Sequence, residues 1–282
     1  MKVLITGSKG QLARAFLERF ERNGAEVSAC DIDTLDIADP DETEQAVTAF
    51  RPSIIINCAA YNLVDKAEQE YDSARRANAL GPRNLASAAK KINAQLIHYG
   101  TDYVFDGAHN VPYTETDRPR PLNNYGRTKL EGEELVLASG ARALVLRSSW
   151  VYGQGRQNFI FKLSQWAKTQ NELKITADET SVPTSVEDIA DTTLKAIEHG
   201  LTGRWHLVNG GYCSRYEWAE LSLKCLGLDV KISPAKLADF NMPAARPVFS
   251  AMTNAALCRE LGVTIPHWSE SAEKFAKALS RD

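Results

Sequence analysis

Lys2-Val3-Leu4-Ile5-Thr6-Gly7-Ser8-Lys9-Gly10-Gln11-Leu12-Ala13 joins a strand-like run to a helix-like one across two glycines. The apolar run 2–6 reads as a strand, and Leu12, Ala15, Phe16, Leu17 and Phe20 recur at helical spacing over 11–23. Gly7 and Gly10 fall in the turn between them. Glycine there lets the chain reverse tightly and lets backbone approach a pyrophosphate. The helix behind the turn offers unpaired N–H groups and the positive end of its dipole to that anion. Ala13 takes the third position of a G-x-x-G-x-x-G pattern and is small enough to keep helix and strand close. The segment is read as a dinucleotide-binding turn.

The same alternation continues outward. Residues 26–30, 53–58, 94–99 and 142–147 read as strands, and 40–50, 72–91 and 125–138 as helices, the first with Asp39 or Pro40 at its start. Near-continuous apolar strands alternating with helices specify a parallel sheet covered on both faces. After residue 150 the rhythm changes: helices are expected at 157–169, 186–199, 214–226 and 268–279, and a strand at 203–208. The fold class expected is α/β, a Rossmann-type doubly wound parallel sheet with a smaller C-terminal α/β substrate lobe. Residues 1–150 plus about 183–208 are assigned to the dinucleotide-binding domain, and about 151–182 plus 209–282 to the substrate-binding lobe.

Composition narrows the function. The 282 residues are 44% hydrophobic and 24% charged with a net charge of -3, and Lys and Arg are scattered. No basic run tracks a phosphate backbone, which argues against nucleic acid as a partner. No stretch approaches the roughly 20 apolar residues of a membrane helix, and the apolar start breaks at Gly7, too early for a signal-peptide core. No membrane partner is expected, and the reading is cytoplasmic. Cys30, Cys58, Cys213, Cys225 and Cys258 are odd in number and form no C-x-x-C pair, so neither a disulfide framework nor a metal site is expected.

Three further features carry chemistry. Asp31 follows the second strand, placed to accept hydrogen bonds from a ribose 2′-OH and to repel a 2′-phosphate; this favours NADH over NADPH. Asp33, Asp36 and Asp39 crowd the same loop, and Asp36 with Ile37 is an alternative flank for the adenine. Cys58-Ala59-Ala60 ends the third strand with small side chains where a dinucleotide would cross the sheet edge. Tyr125 and Lys129, four apart on a helix, share one face. An ammonium beside the phenol is expected to lower its pKa toward working pH, making it a general acid for a developing alkoxide. Thr101, at the end of an earlier strand, offers a hydroxyl to a substrate carbonyl.

With these residues in place the sequence resembles the extended short-chain dehydrogenase/reductase family and, inside it, the dTDP-4-dehydrorhamnose reductase branch. The matching segments are Gly7-x-x-Gly10-Gln11-Leu12, Leu35-Asp36-Ile37, Asn57-Cys58-Ala59-Ala60-Tyr61 and Val64-Asp65-Lys66-Ala67-Glu68, then Asn78 and Thr101-Asp102-Tyr103-Val104-Phe105-Asp106-Gly107. Tyr125-Gly126-Arg127-Thr128-Lys129, Arg147-Ser148-Ser149-Trp150-Val151-Tyr152-Gly153, Pro183-Thr184 and Ala245-Arg246-Pro247 complete a match that spans nearly the whole chain. The resemblance implies Thr101, Tyr125 and Lys129 as the catalytic set. It implies Gly10, Gln11, Leu12, Asp36, Ile37, Ala60, Tyr61, Asn62, Tyr99, Tyr125 and Lys129 along the cofactor, NADH or NADPH. Thr101, Asp102 and Trp150 would face the dTDP-sugar substrate, joined by Val64, Tyr103 and Arg246. The reaction implied is reduction of the 4-keto group of dTDP-4-dehydro-L-rhamnose to dTDP-L-rhamnose, with Tyr125 protonating the oxygen. Physical reading adds that Trp150 is a flat platform at the sheet's carboxyl edge and that arginine suits a diphosphate.

Three departures from the branch stand out. Gly100 replaces a common serine, Asn62 replaces a usual threonine, and the first helix carries no carboxylate until Glu18. Some relatives dimerise through a metal held by a glutamate on that helix, so a monomer or a homodimer not linked by metal is expected. Two other readings stay open: reduction of another 4-keto-6-deoxysugar nucleotide, and a regulatory subunit that binds dinucleotide without chemistry.

Overall fold

The computed structural model describes residues 1–280. Its first half runs β1 (Lys2–Thr6), α1 (Gln11–Arg22), β2 (Glu26–Cys30), α2 (Pro40–Phe50), β3 (Ile54–Asn57), α3 (Tyr71–Arg75), α4 (Gly81–Ile92), β4 (Gln95–Thr101), α5 (Asn124–Ala138) and β5 (Arg142–Ser148). Then follow β6 (Val151–Tyr152), α6 (Phe159–Thr169), β7 (Glu172–Thr176), β8 (Thr180–Ser181), β9 (Thr184–Ser185), α7 (Val186–Glu198) and β10 (Gly203–His206). The last elements are β11 (Cys213–Ser214), α8 (Arg215–Leu226), β12 (Lys231–Ala235), α9 (Ala255–Leu261) and α10 (Trp268–Leu279).

The central sheet has the order β10-β5-β4-β3-β1-β2, with every neighbouring pair parallel. From β1 the chain steps out to β2, then returns past β1 to β3. The order therefore reverses between β1 and β3, where open sheets of this kind bind ligands at the strands' carboxyl ends. Val3, Ile5, Ile54, Ile56, Ile97, Leu144 and Leu146 point to one face and pack on Phe16 and Phe20 of α1 and Ile189 of α7. Leu4, Ile55, Leu96 and Val145 point to the other and meet Val47, Leu85, Ala89 and Val136 of α2, α4 and α5. With both faces covered, successive strand side chains are all apolar, which is why the strands read as unbroken hydrophobic runs. Each fully buried phenylalanine contributes about 1.5–3 kcal/mol over its exposed state.

The helix expected unbroken over 72–91 is interrupted. A π turn, Arg76–Leu80, separates α3 from α4. Pro82 has no N–H for the carbonyl four residues back, and the N–H of Gly81 reaches five back to the carbonyl of Arg76. Asn78 sits on this widened turn. Its Oδ1 accepts from the N–H of Tyr61 at 2.9 Å, and its Nδ2 donates to the Tyr61 carbonyl and to Thr128 Oγ1, both at 3.1 Å. The irregularity thus ties the loop after β3 to α5.

β10 pairs with β5 at the sheet edge, and α7 packs against α1. The strand stops at His206, two residues short of the expected 208. A further core gathers Val104, Phe105, Tyr113, Tyr152, Trp218, Met252 and Trp268. Around it α8 lies between α6 and α10, β12 pairs with β7, β11 with β8, and β6 with β9. Sequence periodicity gave no sign of β7, β12 or α9, which are five, five and seven residues long.

Candidate active site

The turn after β1 is built as glycine requires. Gly7 has φ +68°, and a Cβ there would lie 2.5 Å from the backbone nitrogen of Ala59, two residues beyond the end of β3. The two strand ends approach that closely only without a side chain between them. α1 begins at Gln11 without a side-chain cap, so its first N–H groups remain available to an anion. Two adjoining cavities follow the sheet edge from here. One, of about 470 Å³, is lined by Gly7, Gly10, Asp31, Asp36, Ile37, Cys58, Ala59, Ala60, Tyr61 and Asn62, with Lys9, Leu35 and Arg76. The other, of about 340 Å³, is lined by Gly10, Gln11, Leu12, Cys58, Ala59, Ala60, Asn62, Tyr99, Thr101, Asp102, Tyr125, Lys129 and Trp150. Every residue expected along the cofactor lines one or both.

Asp31 is not a free carboxylate. Its Oδ2 accepts the N–H of Lys9 at 2.9 Å and its Oδ1 the N–H of Ile32 at 2.9 Å, so the carboxylate shapes the turn. Lys9 and Arg76 stand in the same cavity, paired with Asp33 at 2.7 Å and Asp36 at 3.0 Å. The local charge is therefore mixed and does not by itself repel a 2′-phosphate.

α5 places Tyr125 and Lys129 on the wall of the second cavity. Asn123 caps the helix, accepting the N–H of Gly126 at 2.8 Å and donating to the Ala245 carbonyl at 2.7 Å. The expected lowering of the tyrosine pKa is reversed. Burial pushes the phenol up to about 12, opposed by a hydrogen bond with Thr101. Burial likewise pushes Lys129 down to about 8, with Glu133 opposing. The ammonium donates to the Tyr99 carbonyl at 2.5 Å. Desolvation outweighs the spacing argument because both groups are enclosed. Thr101 lies at the end of β4, its Oγ1 3.2 Å from Asp102 Oδ1. Asp102 is buried and accepts from Ser181 at 2.9 Å and Ser250 at 2.5 Å; burial raises its pKa to about 6 against these donors.

Gly100 also finds its reason. A Cβ there would lie 2.2 Å from Glu133 Oε1 and 2.9 Å from Arg147 Cγ. Those two side chains form a fully buried ion pair at 2.8 Å, joined by Arg204 at 3.3 Å. The carboxylate fills the space a serine would need.

A third cavity, of about 460 Å³, continues from Trp150 over the later elements. Tyr103 and Arg246 line it with Lys162, Lys174, Glu179 and Arg215. Arg246 does not offer a free fork: Asp65 takes both terminal nitrogens, at 2.9 and 2.7 Å. Val64 lines none of the three cavities. Gln157, missed in the sequence, lines all three. Its signal was the Gly153-Gln154-Gly155 run just past the sheet edge, where a loop over the cleft belongs.

A doubly wound sheet with a tyrosine and a lysine one helical turn apart beside its switch point has the architecture of the NAD(P)H-dependent oxidoreductases of the short-chain dehydrogenase/reductase class. Over residues 1–281 the chain matches the family described as RmlD substrate binding domain, and it belongs to that family. It is 36% identical to a dTDP-4-dehydrorhamnose reductase of Sinorhizobium fredii, covering 99% of this chain and 98% of the relative. A dTDP-4-dehydrorhamnose reductase structure from Clostridium acetobutylicum superposes with a TM-score of 0.96 at 38% identity, over 99% of each chain. One from Bacillus anthracis, in complex with NADP, gives 0.94 at 35%, over 97% of this chain and 98% of the other.

Proposed function

We propose that the chain reduces the 4-keto group of dTDP-4-dehydro-L-rhamnose to dTDP-L-rhamnose, with NADPH or NADH as cofactor. The observation that carries this reading is the enclosure of Thr101, Tyr125 and Lys129 in the cavity that also holds Gly10 and Trp150. When bound, the nicotinamide supplies a hydride to the carbonyl carbon. Gly7, Gly10 and the start of α1 hold the diphosphate. Thr101 and Tyr125 hold the carbonyl oxygen, and Tyr125, fully protonated at neutral pH, gives it a proton. Lys129 keeps a positive charge beneath the reacting oxygen. Trp150 bounds the sugar.

Lys162 and Lys174 support a diphosphate-linked substrate. Both line the third cavity, and neither makes an ion pair among the described residues, unlike Arg246 and Arg215 beside them. The mixed charge around Asp31, Lys9 and Arg76 supports use of either cofactor. A monomer, or a dimer formed without metal, is supported by Arg19 of α1, which binds Glu187 and Asp191 of α7 at 2.7 Å each. A guanidinium is already paired with both carboxylates facing α1, and light scattering with and without magnesium should give one mass. No helix among the described residues is long and apolar enough to cross a membrane; a cytoplasmic enzyme accords with this reading.

The test is NADPH absorbance on adding dTDP-4-dehydro-L-rhamnose, with the product identified by proton NMR. Rapid oxidation with a rhamnose product supports the proposal. A different epimer would move it to another 4-keto-6-deoxysugar nucleotide, and cofactor binding without turnover to a regulatory subunit.

A further inference from the structure

We propose that Arg215 is a positioning residue for sugar-nucleotide recognition: anchored by Glu179, its guanidinium fixes the Trp150 indole as a wall of the cleft. The inference rests on the reading above, in which Trp150 bounds the sugar.

Trp150 has φ 40°, a left-handed conformation that bulky residues rarely hold unless their surroundings impose it. Its ring N–H is buried and finds no acceptor among the described residues, so no hydrogen bond orients the indole. The contacts on its ring faces must do so. The Arg215 guanidinium carbon lies 3.6 Å from the Trp150 ring centroid, the geometry of a close cation–π contact. The Trp218 ring lies nearly parallel, at 10° and 5.6 Å. Both partners come from the first turn of α8, so one helix end presents the cation and the second ring together. Arg215 is itself tethered. Glu179 accepts from its Nη2 at 3.3 Å and its Nε at 3.4 Å, and the Glu179 carbonyl accepts its backbone N–H at 3.0 Å. Glu179 is buried and held in turn by Thr176 Oγ1 at 3.2 Å. Trp150 lines both the cavity that contains Tyr125 and the one that contains Lys162. A shift of this ring changes the passage between the site of chemistry and the nucleotide end.

The experiment is steady-state kinetics of Arg215→Met and Arg215→Lys, each also in a Trp150→Leu background, with near-UV circular dichroism of the stacked tryptophans. Arg215→Met should raise KM for the sugar nucleotide by roughly tenfold, the size of a desolvated cation–π contact, with KM for NADPH unchanged. Arg215→Lys should restore most of the loss, and in the Trp150→Leu background the Met substitution should cost less than about twofold. The near-UV signal of the Trp150–Trp218 pair should change in Arg215→Met alone. An equal loss with or without Trp150 would overturn the proposal and assign Arg215 to direct diphosphate contact; an unchanged KM or an unchanged near-UV signal would also overturn it. If Arg215→Met fails to bind NADPH, and so has not folded, Glu179→Gln takes its place, with an increase in the same KM expected. Absence of turnover by the wild type would instead sink the assigned reaction, leaving the near-UV comparison to decide the role of Arg215.

Discussion

Tyr125 and Lys129 show how a spacing and its electrostatics can part company. Four residues on a helix do place them together, yet enclosure drives the phenol upward and the ammonium downward. Tyr125→Phe, which removes the proton donor, should lower kcat by roughly 10²–10⁴-fold and leave the KM for NADPH within a few-fold; single-turnover kinetics would check it. The lysine sets a pH limit. A base with its pKa lowered to about 8 is cationic below that value and neutral above it. If the charge is needed at the reacting oxygen, kcat should fall as pH rises through about 8, and a flat profile to pH 10 would remove Lys129 from this role. Gly100 makes a stability prediction. Gly100→Ser pushes a side chain into the buried Glu133–Arg147 pair, and urea unfolding should show a loss of at least about 1–3 kcal/mol, the cost of overpacking.

At the level of elements, the strands and most helices of the sheet were legible because burial on both faces leaves a strong apolar signal. The π turn at Arg76–Leu80 was not. Its cause is Pro82, visible in the sequence, but a proline in the first turn of a helix is ordinary, and only the closed register with Tyr61 and Thr128 shows that the preceding turn widens. The short β7, β12 and α9 depend on tertiary pairing more than on their own periodicity. Site residues on strand ends and on α5 could be read from their motifs. Arg215 and Glu179 could not, because their relation to the cleft exists only after distant segments meet. The cap of α5 is an element-scale lever. Asn123→Ala removes a cap to Gly126 and a tether to Ala245; it should cost about 1–2 kcal/mol in urea unfolding and slow turnover through the misplaced helix that carries Tyr125.

For the whole molecule, the cleft runs from a glycine turn at the sheet's switch point to a cationic cavity over the later elements, and the reaction is proposed to occur where they meet. Lys162→Gln with Lys174→Gln should raise KM for the sugar nucleotide several-fold, more at low ionic strength, while KM for NADPH stays constant. That pattern would separate the two ends of the cleft. Arg246, which the sequence nominated for the diphosphate, is bound to Asp65 and should matter less to KM at the same ionic strength. Hydride is proposed to pass directly to the keto carbon of a dTDP-linked sugar. The most direct measurement uses NADPH carrying deuterium at both positions of the nicotinamide C4, with dTDP-4-dehydro-L-rhamnose. One deuterium at the sugar C4 is expected for each NADPH consumed; consumption without deuterium at C4, or no consumption at all, would overturn direct transfer.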